Sequence, residues 1–373
     1  MTVNGRLEFC RTVFWITQLG TVVPLDILLG VATSKFSPGV REMCCRESLN
    51  CAFAPASKNL NRTAQLAISS FAIRTIVESQ GLDVLAQQAC GQVRPDFTAD
   101  DCIDKTVITG ADGVMVPLVT EEQKRKRRET EKAKRSGQNR KSTAKHGRPK
   151  SGSDGPYKEF KVVAFYSKDK KHQYAVGTSG NHKKLGRLMR REAGRIRLDE
   201  AAVKYSVSDG AEWIRKQYNQ QLPMLDENIL DYYHLQEHVT AAGQKLFGEG
   251  TPESVAWREK IIGVAWNQGS LVMLDRLGEL LKTLRSAAKR EAIKSLRKYA
   301  GSRVAMTDYP SFRAAGYDTG SGPTESVCGR LTKRLKGSGM RWDKSNAESM
   351  MGLASIYYSG QWDSYWKHLR KAS

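Results

Sequence analysis

The stretch "TVITGADGVMVPLV" (106–119) decides the fold class of this chain of 373 residues. Its β-branched residues and its alternating pattern predict a strand. A carboxylate, Asp112, lies in the middle of that strand, and Gly113 follows it. Because a charged group in a buried strand is costly unless a cation meets it, Asp112 is a candidate functional residue.

Four further strands are predicted from similar patterns. They are "EFKVVAFYS" (159–167), "HQYAVGTSG" (172–180), "AVKYSVSDG" (202–210) and "ENILDYY" (227–233). A basic amphipathic helix, "NHKKLGRLMRREAGRIRL" (181–198), separates the third strand from the fourth. This is the order of a ribonuclease H-like mixed sheet with flanking helices, in which the first and fourth strands are neighbours. The α/β fold therefore places Asp112 beside Asp209.

The remaining segments are predicted to be mainly helical. Residues 1–100 form an N-terminal DNA-binding region, since "NLNRTAQLAISSFAIRTIVESQGLDVLAQQ" (59–88) has the spacing of a helix-turn-helix domain. The catalytic core begins at 101–235 and resumes at 309–373. Between its two parts, residues 236–308 form an all-helical insertion, because "ESVAWREKIIGVAW" and "SLVMLDRLGELLKTL" carry apolar residues at helical spacing.

A highly charged stretch follows the first strand. Residues 121–155 contain almost no apolar side chains, so they cannot bury enough surface to order themselves. We predict a disordered basic arm over 121–156, either a plain solvated linker or a segment that follows DNA phosphates without reading sequence. Its phosphate contacts would be Lys124, Arg125, Lys126, Arg127 and Arg128.

The charge balance points to a polyanionic partner. The chain has 60 Lys and Arg against 39 Asp and Glu, a net charge of +21, which favours nucleic acid. An anionic membrane fits less well, because the cations are spread along the whole chain. The apolar run from Phe14 is interrupted by Pro24 and Asp26 and indicates strand and turn, with no membrane segment. Seven cysteines without a CxxC pair indicate reduced thiols and a cytoplasmic protein.

A third candidate carboxylate lies near the C-terminus. Pro323 after Gly322 predicts the start of a helix whose first turn contains Glu325. A lone Glu in a first turn usually complements the helix dipole. Together with Asp112 and Asp209, however, it completes a set of hard oxygen ligands that can hold two Mg²⁺ or Mn²⁺ ions about 3.5–4 Å apart.

Several motifs resemble those of the DDE transposases of bacterial insertion sequences of the ISKra type, relatives of the Mutator-like transposases. They are "ADGVMVPL" (111–118), "SDGAEWI" (208–214), "ILDYYHLQEHV" (229–239) and "DTGSGPTES…RLKGSGMRW…SGQWDSYW" (318–366). The resemblance implies a ribonuclease H-like catalytic domain with a helical insertion, and a metal-binding triad of Asp112, Asp209 and Glu325. Family members often carry a cysteine pair at the place where this chain has "TVFWITQLGTVVPLD" (12–26), which contains no cysteine. We therefore expect that a zinc-binding module is absent or cut off. A second expectation is that Met1 is a late start of the coding sequence in a truncated copy of the element.

The resemblance also implies auxiliary residues and partners. Asp231 and His234 match a D-x-x-H motif, in which His234 contacts the scissile phosphate or flanking DNA; the bare pattern equally fits a capped helix start. Further DNA contacts are expected from Arg330, Lys333, Lys336 and Arg341, with Arg330 and Lys333 flanking the triad. The implied partners are double-stranded DNA, as element terminal repeats and target DNA, and a second copy of the chain. The implied location is the bacterial cytoplasm, at the nucleoid.

Two other functions compete with a transposase that cuts element ends and joins their 3′-hydroxyls to target DNA. One is a non-catalytic DNA-binding remnant or repressor, and the other is a ribonuclease H-like nuclease. The three carboxylates argue against the first, and the helix-turn-helix and insertion argue against the second. A last aromatic cluster consists of Trp362, Tyr365 and Trp366. Its helical spacing favours packing in a buried seam over the alternative, stacking on DNA bases.

Overall fold

The computed structural model describes residues 8, 10–28, 35–93, 95, 97–137 and 152–371. The strands, in chain order, are β1 (Phe14–Ile16), β2 (Gly20–Val22), β3 (Thr106–Pro117), β4 (Tyr157–Ser167), β5 (Gln173–Thr178), β6 (Val203–Ser208) and β7 (Glu227–Leu230). The helices are α1 (Pro24–Leu28), α2 (Pro38–Asn50), α3 (Phe53–Ala64), α4 (Ser70–Cys90), α5 (Glu121–Gly137), α6 (His182–Arg195), α7 (Glu212–Gln221), α8 (Tyr232–Phe247), α9 (Pro252–Gln268), α10 (Ser270–Thr283), α11 (Ala287–Gly301), α12 (Tyr309–Ala314), α13 (Gly322–Thr332), α14 (Lys344–Tyr358) and α15 (Trp362–Lys371).

Five strands form one mixed sheet in the order β5-β4-β3-β6-β7. β4 runs antiparallel to β3 and β5, while β6 and β7 run parallel to β3. The sheet has the strand order and directions of a ribonuclease H-like fold. The five predicted strands are confirmed, and so is the prediction that the first and fourth of them lie side by side.

Two apolar layers cover the sheet, and alternate residues of β3 face one or the other. Val107 and Ala111 pack with α6 and α7, whereas Ile108 and Val114 belong to a larger core that extends from α2 to α15. Side chains of a strand point alternately to its two faces, and Asp112 is an even number of residues from Ile108 and Val114. The side chain of Asp112 therefore lies on the same face of β3 as theirs, the face toward the larger core. Because α13 contacts β3 on that side, the strand and the helix that carry Asp112 and Glu325 are direct neighbours.

A glycine lets α13 lie close to the sheet. A Cβ atom at Gly110 would come within 1.8 Å of Thr324 Oγ1, in the first turn of α13. Pro323 starts that helix as predicted, and Cys328 and Thr332 are its small buried residues. The close approach brings the first turn of α13 level with the middle of β3.

The segment between β7 and α13 is helical, as predicted for the insertion. It consists of α8 to α12, with a short 3-10 helix at Val304–Met306. β7 leads directly into α8, because the side chain of Asp231 accepts hydrogen bonds from the first-turn amides of α8. The insertion therefore begins at the carboxyl end of the sheet, beside the end of β6.

The predicted disorder of 121–156 is wrong for its first part, because residues 121–137 form α5. Thr120 and Gln123 make reciprocal side-chain-to-backbone hydrogen bonds at its start, both 3.2 Å. Ion pairs spaced three or four residues apart then support a helix with no buried side chain. Lys124 also forms an ion pair with Asp343 at 2.6 Å. Residues 138–151 of the predicted arm lie outside the described residues.

The N-terminal region contains the hairpin of β1 and β2, as expected for strand and turn, and the helices α1 to α4. The predicted helical pair is present as α3 and α4, but both helices share the core of α13 to α15. The structure has all seven cysteines as free thiols. In the part of the chain that the structure describes, no helix is both long and apolar enough to cross a membrane.

Candidate active site

The sequence-predicted carboxylates meet at one cavity of about 510 Å³, beside the middle of β3 and the carboxyl end of β6. Asp112 comes from β3, Asp209 follows β6, and Glu325 lies in the first turn of α13. Asp231 and His234 line the same cavity from the start of α8. The structure thus brings together five predicted residues that are widely separated in the chain.

Asp112 is half-buried. Its Oδ1 accepts a hydrogen bond of 2.6 Å from the backbone amide of Gly113. Burial raises the pKa of Asp112, and the nearby charges of Asp209 and Glu325 raise it further. Asp112 is therefore repelled by both of the other carboxylates.

Asp209 lies in a tight turn between β6 and α7. Its Oδ1 accepts a hydrogen bond of 2.8 Å from the amide of Ala211. Gly210 follows with a φ of +69°, a left-handed conformation that favours glycine. The motif "SDG" is therefore needed both for its carboxylate and for the turn that presents it.

Glu325 is more exposed, with 59% of its side chain accessible. Its Oε1 lies 2.8 Å from the hydroxyl oxygen of Ser321, whose one proton is shared with Asp231, and 4.0 Å from His234 Nε2. The other ring nitrogen of His234, Nδ1, lies 3.2 Å from Glu237 Oε2. This contact orients the imidazole so that Nε2 faces the cavity.

Asp231 has a structural role in this arrangement. Its Oδ1 accepts from the amides of Tyr233 and His234, and its Oδ2 accepts from the amide and hydroxyl of Ser321. It is 1% exposed. Asp231 therefore caps α8, as the bare pattern predicted, and ties the start of α8 to the start of α13.

The closest grouping of possible metal ligands differs from the predicted triad. Ligand atoms of Asp231, His234 and Glu325 lie within 4.8 Å of one another. Four protein donors already occupy the oxygens of Asp231, which leaves this carboxylate little capacity for a cation. Asp112 and Asp209 each accept one short backbone hydrogen bond and are the better ligands.

The charge of the cavity is opposite to that of the chain. Five carboxylates line it: Asp112, Asp209, Asp231, Glu237 and Glu325. None of its described lining residues is Lys or Arg, although the chain has a net charge of +21. A cavity with five carboxylates and no Lys or Arg among its described lining residues can be neutralised by bound divalent cations, and hard oxygen donors fit Mg²⁺ and Mn²⁺.

The predicted DNA contacts do not surround this cavity. Arg330 donates a hydrogen bond of 2.7 Å to Gln173 Oε1 and lies over the ring of Tyr358. Gln173 is at the opposite end of β5 from the carboxylates. Neither Arg330 nor Lys333 lines the cavity, so the prediction that they flank the triad is wrong.

The other predicted contacts lie on the surface. Lys124 is 11% exposed and engaged by Asp343, so it anchors α5. The exposed cations are Arg125, Lys126, Arg127, Arg128, Lys333, Lys336 and Arg341.

The second helix of the predicted helix-turn-helix is α4. It contains one cation, Arg74, and two acidic residues, Glu78 and Asp83, so its net charge does not favour contact with DNA.

Sequence reasoning missed four residues at the site. Ser321 lies within a quoted motif and could have been noticed there, and Glu237 is three residues after His234. Tyr299 and Arg303 contact the turn of Asp209 from about 90 residues away in the chain. No local pattern in the insertion marks these two residues.

Comparisons with known proteins identify no family for this chain. No protein-family model matches the sequence, and no curated protein does. One matching solved structure is the Drosophila P element transposase strand transfer complex, with 13% identity and a TM-score of 0.28 over 93% of this chain and 84% of that chain. A TM-score this low supports no argument, so the fold assignment rests on strand order and register.

Proposed function

We propose that the protein is a DNA transposase of an insertion sequence of the ISKra type, which cuts element ends and joins their 3′-hydroxyls to target DNA. The observation that carries the proposal is the cavity of five carboxylates in a strongly basic chain. A DNA-binding protein without catalytic activity has no need for a cluster of repelling carboxylates. A phosphodiester-processing enzyme needs them to hold cations against the substrate.

The residues of the cavity have distinct tasks in this proposal. Asp112, Asp209 and Glu325 would hold two Mg²⁺ or Mn²⁺ ions, which when bound activate a water or 3′-hydroxyl and stabilise the leaving oxygen. Asp231 fixes the first turn of α8, and Glu237 orients the ring of His234. His234 Nε2 is then directed toward the scissile phosphate, beside Glu325.

DNA affinity in this proposal comes from cations outside the cavity. The exposed cations of α5 begin a few residues after the end of β3, and they would contact the phosphates of duplex DNA. Self-association on paired element ends is part of the same proposal, by analogy with transposases in general.

The test is cleavage and joining of a duplex made from the DNA that flanks the coding sequence, in Mg²⁺ or Mn²⁺. Asp209→Asn keeps the side-chain shape and removes a charged ligand, so the rate should fall on the order of 10³-fold or more while DNA binding remains. Asp226→Asn is the matched control, because Asp226 also accepts a backbone amide, from Lys204, but lies outside the cavity.

The rival functions give different results in the same assay. A repressor would bind the duplex without cutting it in either metal. A ribonuclease H-like nuclease would cut RNA–DNA hybrid or junction substrates without joining ends. If Asp209→Asn cuts and joins as well as the parent protein, the proposed function is wrong.

A further inference from the structure

The turn that presents Asp209 has two backbone carbonyls that point away from the sheet and toward the helical insertion. The carbonyl of Asp209 accepts a hydrogen bond of 3.4 Å from the hydroxyl of Tyr299. The carbonyl of Gly210 accepts one of 3.0 Å from Arg303 Nε. Tyr299 lies in α11 and Arg303 lies just after it, so the end of the insertion satisfies both carbonyls.

Arg303 is itself held in a fixed geometry. Its Nη1 donates to the carbonyl of Tyr299 and to the hydroxyl of Ser302, both at 2.9 Å. Its guanidinium carbon lies 3.9 Å from the centroid of the Tyr299 ring. The same ring stacks on His238 of α8, with centroids 3.5 Å apart. The planar guanidinium therefore fits a rigid pocket that a lysine could not reproduce.

The turn has little room to move away from these contacts. A Cβ atom at Gly210 would come within 2.6 Å of Leu230 Cδ1 and 2.9 Å of Arg303 Nε. The amide of Asp231 donates to the carbonyl of Ser208 at 2.8 Å on the other side. The turn is thus enclosed between β7 and the end of the insertion.

We infer that Tyr299 and Arg303 are positioning residues that set the place of the Asp209 carboxylate for cation binding. On this inference the helical insertion has a role at the site, because α11 and the residues just after it set the geometry of Asp209 at the end of β6. This inference rests on the proposed function. It assigns no contact with DNA or with a cation to either residue.

The experiment measures Mn²⁺ affinity directly, by the loss of the free-ion electron paramagnetic resonance signal on titration of the full-length protein. Arg303→Met should weaken Mn²⁺ binding about 10-fold. Loss of a residue that holds a metal ligand in place typically lowers metal affinity by about 10- to 100-fold, and the lower value is expected here because Arg303 acts through the backbone. Tyr299→Phe keeps both ring stacks and removes one long hydrogen bond, so about a threefold loss is expected. The melting temperature of each variant is measured in metal-free buffer.

Arg290→Met is the matched control. Arg290 also lies in the insertion, and its Nη1 donates to two backbone carbonyls, those of Leu281 at 2.9 Å and Leu284 at 3.2 Å. Removing it loosens the connection between α10 and α11 without touching the Asp209 turn. Its Mn²⁺ affinity should stay within twofold of the parent protein.

Asp209→Asn separates failure of this inference from failure of the proposed function. If Asp209→Asn weakens Mn²⁺ binding but Arg303→Met does not, the inference is overturned and the proposed function stands. Equal losses in Arg303→Met and Arg290→Met also overturn it, since the cause would then be general loosening of the insertion. If Asp209→Asn binds Mn²⁺ like the parent protein, the proposed function fails. Should Arg303→Met not fold, Tyr299→Phe decides by the same comparison.

Discussion

At the residue scale, the site is a group of like charges assembled at a cost in stability. Burial raises the pKa of Asp112, and Asp209 and Glu325 raise it further. Because its pKa is higher in the folded protein than in the unfolded chain, the penalty is fully present above the folded-state pKa and is relieved as the pH falls through that pKa. Function, rather than stability, explains why these carboxylates are together.

Asp112→Asn should therefore stabilise the protein in the absence of divalent cations. The amide imitates the neutral carboxyl, so the melting temperature in EDTA should rise, by roughly 2–4 °C for each kcal/mol of relieved repulsion. The increase should shrink as the buffer is made more acidic. Calorimetry of Asp112→Asn beside Asp226→Asn makes the measurement, and a lower melting temperature for Asp112→Asn alone would contradict it.

At the element scale, α5 shows how a sequence without apolar residues becomes a helix. Its cations alternate with glutamates at helical spacing, as in the pairs of Lys126 with Glu122 and Arg125 with Glu129. Exposed pairs of this kind contribute only a few tenths of a kcal/mol each. The ion pair of Lys124 with Asp343 fixes the first turn against the start of α14. The helix thus presents its cations in a defined direction.

Neutralising the exposed cations of α5 should flatten the salt dependence of duplex DNA binding. The variant changes Arg125, Lys126, Arg127 and Arg128 to Gln and leaves Lys124 in place to keep the helix anchored. The slope of log K against log salt should become shallower by up to about 4, since each phosphate contact contributes about 0.9. Sequence preference should not change.

The control for α5 removes four exposed cations from the insertion, Arg285, Lys294, Arg297 and Lys298. It changes the net charge by the same amount at a different place. A parent-like slope in the α5 variant, or the same reduction in both variants, would show that α5 has no specific part in binding.

At the scale of the whole molecule, the helices α2 to α4 and the last helix, α15, share one core. Tyr365 of α15 hydrogen-bonds to Gln80 and Asp83 of α4, and Trp362 donates to Glu42 of α2 at 3.1 Å. Trp366 is fully buried among them, which confirms the predicted packing role of the C-terminal aromatic residues. The N-terminal helices and the last helix therefore depend on one another.

Trp366→Ala should destabilise the whole protein by about 3–5 kcal/mol, because it leaves a large cavity between these helices. Trp15→Ala is the comparison, since Trp15 is 76% exposed and its removal should change stability by less than about 0.5 kcal/mol. Chemical denaturation measures both. A Trp366→Ala variant that unfolds at the parent midpoint but no longer binds DNA would instead indicate base stacking.

The sequence by itself determined the strand order, the two aspartates at neighbouring strands, the helix start at Pro323 and the buried aromatic seam. The strands, the helix start and the aromatic seam depend on local periodicity or on a residue with a fixed backbone preference. The pairing of the first and fourth strands follows from the likeness of the strand and helix sequence to a ribonuclease H-like sheet. Only the tertiary structure decided that Asp231 is a cap with its oxygens already occupied, that Lys124 is an anchor and that Arg330 lies at the far end of the sheet. It also revealed Tyr299 and Arg303 at the Asp209 turn. These roles arise from contacts between segments far apart in the chain, whose partners no local pattern specifies.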